Sequence, residues 1–114
     1  MLALALTLTL SPWKGPQLAA ASAGAAQYRL AVHGKANAQV HLAASGLPPG
    51  WIASFCTQDL CSPFHYAMQL DSHGDGAVEF QAVRIDDSAP RRVRVTISSA
   101  SGESISAGVA APTP

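Results

Sequence analysis

Arg92-Val-Arg-Val-Thr-Ile-Ser98 alternates without a break, with Val93, Val95 and Ile97 in one row and Arg92, Arg94 and Thr96 in the other. A period of two is the pleat of a half-buried strand, whereas a helix would repeat its apolar residues every three or four positions. The stretch predicts a strand that lays its aliphatic row on a core and turns its arginines to water. The same rhythm extends in both directions. Upstream, Asp86-Asp-Ser-Ala-Pro90 breaks the chain, and before it Val78 and Phe80 alternate in one phase while Val83 and Ile85 sit in the other. That phase change predicts a bulge near Ala82. Tyr66, Met68 and Leu70 alternate ahead of a Ser72-His-Gly-Asp-Gly76 turn. Trp51, Ala53 and Phe55 follow Gly46-Leu-Pro-Pro-Gly50, a turn stiffened by two prolines. Tyr28, Leu30 and Val32, then Val40, Leu42 and Ala44, flank Gly34-Lys-Ala-Asn37 and read as a hairpin. Downstream, residues 104–110 form a weaker edge strand, and 111–114 a tail or linker.

About seven short strands with turns roughly every ten residues predict an all-β, immunoglobulin-like sandwich of antiparallel strands over residues 26–110. Its core is expected to contain Leu30, Val32, Val40, Leu42, Trp51, Phe55, Leu70, Phe80, Val93, Val95 and Ile97. The 114 residues make one domain. Hydrophobic residues are 48% of the chain, but Ala supplies much of that and aromatics only 6%, so the core rests on a modest set of large side chains. Eight Pro and nine Gly argue against a helical bundle and against a membrane span in the mature domain. Seven Lys+Arg balance seven Asp+Glu, which leaves no field to attract nucleic acid or anionic lipid. A protein or cell-surface partner of unknown identity is the expectation.

Residues 1–23 read as a signal peptide or N-terminal anchor, with a truncated start as one account of them. Leu2 to Leu10 is too short an apolar run to cross a bilayer, which takes about 20 residues, but it fits a leader's apolar segment. Ala21-Ser-Ala23 offers a cleavage site. No Lys or Arg precedes the run, and Ser11-Pro-Trp-Lys-Gly-Pro16 makes a long spacer. The alternative is an apolar first strand of the domain. Cleavage after Ala23 would remove Lys14 and leave 6 positive and 7 negative side chains.

Gly46-Leu-Pro-Pro-Gly-Trp51-Ile-Ala-Ser-Phe-Cys56, a short loop, Cys61, then Leu70, Val78 and Phe80, resembles a recurrent bacterial extracytoplasmic module. The resemblance covers about residues 40–98, and its specific part is Pro-Pro-Gly-Trp-x4-Cys-x4-Cys. In such modules an aromatic often follows the second Cys, where this chain has Ser62. The resemblance implies an immunoglobulin-like or fibronectin-type-III-like sandwich, appended to secreted or surface proteins and generally non-catalytic.

In an exported domain of this size an even cysteine count reads as a disulfide, here Cys56–Cys61 closing a small loop. Such a bridge pins one loop and does not join two sheets. A second reading takes Cys61, His65 and Met68 as three ligands of a cupredoxin-like copper site, with His33 or His41 as the fourth. Its spacing is unusual, and a disulfide would consume the Cys61 thiolate. A Cys-x4-Cys plus His zinc site is a third. Asp71-Ser-His-Gly-Asp75-Gly76 opens like an EF-hand loop, but Ala82 stands where the bidentate Glu belongs, so a plain turn is expected. His33 and His41 are expected outward on the first hairpin, as diagonal neighbours in one register. Arg84, Arg91, Arg92 and Arg94 form a local basic patch, of which Arg92 and Arg94 mark a candidate interaction surface. No Gly-x-Ser-x-Gly elbow frames a nucleophile. The expected function is therefore a non-enzymatic exported module without cofactor, acting as spacer or interaction domain in a secreted, periplasmic or cell-surface setting. A core filled by side chains is expected to leave little room for a pocket of about 300 Å³ or more.

Overall fold

The computed structural model describes residues 6–13 and 26–111. Nine strands run through them: β1 (Thr7–Pro12), β2 (Ala26–His33), β3 (Gln39–Ser45), β4 (Trp51–Cys56), β5 (Cys61–Pro63), β6 (His65–Gln69), β7 (Asp75–Arg84), β8 (Arg92–Ser99) and β9 (Ser104–Ala110). There is no helix among the described residues. The strands form two antiparallel sheets, one ordered β1-β2-β7-β4-β5 and the other β6-β3-β8-β9. The fold is an all-β sandwich of nine strands, two more than expected. The additions are β1, inside the segment read as a leader, and β5, only three residues long.

Alternation places the core as expected. Leu30 and Val32 of β2, Val40 and Leu42 of β3, Trp51 and Phe55 of β4, Phe80 of β7 and Val95 and Ile97 of β8 are buried between the sheets, with Leu70 just beyond β6. Val93 is half-buried at the margin. Leu8, Ala44, Ala53, Val78, Ala82, Ala89 and Val109 join them in the apolar core of the described residues. At the centre Phe55 stacks on Tyr66 with ring centroids 5.9 Å apart and meets Phe80 edge-on at 5.3 Å. Offset and edge-on contacts are the arrangements that ring quadrupoles favour.

Three expectations are corrected by the pairing. Residues 26–33 and 39–45 do not form a hairpin: β2 lies in the first sheet between β1 and β7, β3 in the second between β6 and β8. Gly34-Lys-Ala-Asn37 carries the chain across the sandwich, because both strands need a core on one face and the inter-sheet crossing gives each its own. There is no bulge at Ala82. Strand β7 pairs residue for residue with β2 from Asp75 to Ala82 and with β4 from Glu79 to Arg84. The change of phase arises because Val83 faces outward opposite Ile52, an apolar pair on the outer surface, while Ile85 lies beyond the strand and is exposed. The third correction is that the arginines of the basic patch divide between the two sheets.

Strand β1 covers the β2 edge from Thr7↔His33 to Pro12↔Tyr28. It turns Leu8 into the core with Leu10 packed beside it, and the Trp13 amide donates to the Gln27 carbonyl at 3.2 Å. The proposed cleavage site at Ala21-Ser-Ala23 and the tail from residue 112 lie outside the described residues.

Two polar clamps fix the loops at one end of the molecule. The Trp51 indole N–H donates to the Pro90 carbonyl at 2.8 Å. The Arg84 guanidinium donates to the Ala89 carbonyl at 2.9 Å and to that of Asp87. The turn between β7 and β8 is thus tied to strand side chains of the first sheet.

Candidate functional site

The β4–β5 hairpin carries the disulfide. Its tip is closed by the Thr57 amide donating to the Leu60 carbonyl at 2.8 Å, with the Thr57 hydroxyl on the same acceptor at 3.2 Å. That bond puts Cys56 and Cys61 at the next pair, a non-hydrogen-bonded position, where facing Cα atoms approach most closely. The two sulfurs are bonded at 2.00 Å and the Cα atoms are 4.0 Å apart. This is slightly below the 4.4–6.8 Å usual for disulfides, because cross-strand pairing sets the separation. As expected from the spacing, the bridge locks one hairpin. Serine at both positions is expected to lower stability by about 2 kcal/mol, the loop-closure value for so short a ring, measured as a shift in the urea midpoint.

Around the bridge the outward face of the first sheet is unusually closed. Cys56 stands between Cys61 on β5 and Glu79 on β7 as their direct register partner. Cys56 and Glu79 are each 1% exposed, and Ser54 and Gln81 beside them are also buried. The Gln81 amide N–H lies 4.0 Å from Cys61 Sγ. Neither carboxyl oxygen of Glu79 has a hydrogen-bond partner. Loss of hydration raises the Glu79 carboxyl above the usual glutamate range. The folded state then holds a proton that the unfolded chain has given up. Stability from this group is full below the ordinary glutamate pKa and is lost as pH rises through the higher folded value. Urea midpoints measured from about pH 4 to about pH 8 should fall with pH in the native chain and stay flatter in Glu79→Gln, glutamate ionising ordinarily near 4.3. Equal slopes would exclude Glu79 as the cause. Sequence reading missed this residue because it occupies the outward phase of its strand, where a charged side chain reads as solvated.

The copper reading separates on the strands. Cys61 is bonded to Cys56, which removes its thiolate. His65 and Met68 lie in opposite phases of β6, the first exposed and outward, the second packed against the core. Among the described residues no group of three His, Cys, Asp or Glu side chains is placed to hold a metal ion. His33 and His41 are not diagonal neighbours, since they belong to different sheets. His33 Nδ1 instead meets Asp75 Oδ1 at 2.5 Å across the β2–β7 ladder. His41 lines an open groove of about 340 Å³ with Ser62, His65 and Tyr66. Surface grooves of this size exceed the room expected from a filled core.

The EF-hand-like stretch is a turn. Asp71 Oδ1 accepts the amides of His73 at 2.8 Å and Asp75 at 2.9 Å. Those bonds, the one from Asp75 first, hold its carboxyl below the usual aspartate range. The four-arginine patch divides between the sheets: Arg84 belongs to β7 and is spent on the turn carbonyls, while Arg92 and Arg94 project outward from β8. Arg94 faces Gly108 and Arg92 faces Ala110 on β9, and neither arginine has an acidic partner among the described residues.

No protein-family model matches the chain, and comparison with curated proteins finds no significant relative. What the fold and site define is an antiparallel β-sandwich with one hairpin disulfide, which is consistent with an oxidising compartment. No helix among the described residues is long and apolar enough to cross a membrane.

Proposed function

We propose that the chain is a non-enzymatic, exported, immunoglobulin-like module that serves as a spacer or as an interaction domain for a protein or cell-surface partner. Support for the family comes from strand order. With β1, β2, β7 and β4 in the places of A, B, E and D, and β3, β8 and β9 in those of C, F and G, these seven strands are ordered as in the immunoglobulin arrangement, whereas β5 and β6, which follow β4 in the chain, depart from it. Support for export comes from the disulfide and from the apolar N-terminal segment.

The observation that carries an interaction role is the outer face of the second sheet. Arg92 and Arg94 stand beside Thr96, Ser98, Ser106 and Gly108, small side chains that leave a flat surface bearing two guanidinium groups. Planar, five-donor guanidinium groups suit an acidic protein surface. Retention on immobilised poly-glutamate at low salt, weakened at least about tenfold in the Arg92→Ser/Arg94→Ser double variant, is the expected result, since surface charge of this kind is screened by salt. No retention of the native chain leaves the spacer role and withdraws this face.

Export is tested by the N-terminal sequence of the protein recovered outside the cytoplasm. A start at Gly24 means that leader removal also takes away β1. A start at or before Leu6 means that the strand stays in the domain.

A further inference from the structure

We propose that the Cys56–Cys61 bridge is an exchangeable redox element, attacked at Cys61, with Glu79 as the proton donor to the departing Cys56. The proposal does not depend on the interaction role above. It rests on the order of the three side chains across the sheet and on their unequal access to solvent. Cys61 is half-exposed beside the exposed tip at Leu60, whereas Cys56 is 1% exposed behind it. An incoming thiolate therefore reaches the Cys61 sulfur first. The electron pair of the broken S–S bond must then pass to Cys56, where water is excluded and a bare thiolate is costly.

Glu79 faces Cys56 from the next strand, and paired positions place Cβ atoms about 4.5–5.5 Å apart, within reach of a glutamate side chain. Its two carboxyl oxygens have no other partner to hold them. Arg29 faces Glu79 from the other neighbouring strand but is exposed and forms no ion pair with it. Among the described residues, Ser54, Gln27, Gln81 and Cys61 are the other polar side chains on this part of the face, and none of them carries a charge. Burial favours the protonated form of such a carboxyl, and the nascent thiolate is a base placed to take that proton.

A dithiol supplies one thiolate, which forms a bond to Cys61 Sγ as the Cys56–Cys61 bond breaks. Cys56 leaves as thiolate and takes the Glu79 proton, and the carboxylate is later reprotonated from solvent. The second thiol of the dithiol, as thiolate, displaces Cys61, which takes a proton from water. The protein gains two thiols and the dithiol becomes a disulfide. The Gln81 amide beside Cys61 Sγ faces the sulfurs over which charge is shared during exchange.

Reduction of the full chain by dithiothreitol, quenched by alkylation and read by mass, tests the relay. With rates normalised to reductant thiolate, the native chain should slow about tenfold as pH is raised and Glu79 loses its proton, and Glu79→Gln should be slow and flat throughout. Superimposable profiles would overturn the role of Glu79. A second measurement does not need that variant: glutathione disulfide should modify Cys61 in Cys56→Ser at least about tenfold faster than Cys56 in Cys61→Ser, because access governs thiol reactivity. Equal or reversed rates would overturn attack at Cys61.

Discussion

Phe55→Ala is expected to lower the unfolding free energy by about 3–5 kcal/mol, the range for emptying a large aromatic site in a close-packed core. Phe55 is fully buried, and its ring is held on two sides, by Tyr66 from the second sheet and by Phe80 from the neighbouring strand. The first contact bridges the sheets and the second lies within one, so a void there loosens both. Collapse into it is opposed by the backbone, since β4 is paired with β7 through Phe55↔Phe80 and with β5 through Phe55↔Ser62. Small domains hold about 5–15 kcal/mol in total, so the variant should be largely unfolded at a denaturant concentration that leaves the native chain intact. Urea unfolding followed by tryptophan fluorescence measures it. A loss below about 1 kcal/mol would mean that the ring does not organise the core, contrary to the usual cost.

The second large effect is expected at Gly74. The crossing from β2 to β3 and the turn from β6 to β7 meet there, with the Gly34 amide donating to the Gly74 carbonyl at 2.8 Å. Gly74 has φ of +80°, and a Cβ on it would fall 2.1 Å from the Gly34 carbonyl oxygen. That neighbour is backbone and cannot rotate away as a side chain does. Gly74→Ala should therefore cost about 3 kcal/mol or more, made up of the left-handed penalty and displacement of the crossing. Gly102 is the control: its φ is +105°, but nothing lies within 4 Å of an added Cβ. Gly102→Ala should cost about 1–2 kcal/mol from conformation alone. If the two alanine variants unfold at the same urea concentration, the close approach contributes nothing.

How far the sequence disclosed this fold depends on whether a feature is local. The phase of each strand is local, and the inward rows of β2, β3, β4 and β8 follow from alternation within a few residues. Partner choice is not local. Turn residues at 34–37 fit a hairpin and an inter-sheet crossing equally well, and only the burial of both strands on separate cores decides between them. Strand β1 was legible in part, since Thr7 and Thr9 alternate with Leu8 and Leu10. The same letters satisfy a leader's apolar run, and alternation weighs little over so few residues. Three-residue β5 is shorter than any pattern that periodicity detects, and it exists because the disulfide and the Thr57–Leu60 bond fold the chain back. Among candidate site residues, the cysteine pair was visible from spacing and compartment. The split of the arginines was not, because it depends on which sheet each strand joins. Glu79 carries no sequence signal, since its phase marks it as solvent-facing and only tertiary cover makes it buried.

The double pairing of β7 has a consequence for amide hydrogen exchange. Residues Glu79 to Ala82 are the part of the ladder flanked by β2 on one side and β4 on the other. Their amides and carbonyls reach solvent only when the sheet itself comes apart, so they should exchange at the rate of whole-molecule opening, and β1 at the edge far sooner. The protein thus contains its own internal gauge of global stability in four consecutive peptide groups. Glu79 is one of them, so deuterium at its backbone reports whole-molecule opening, separately from the proton exchange of its carboxyl.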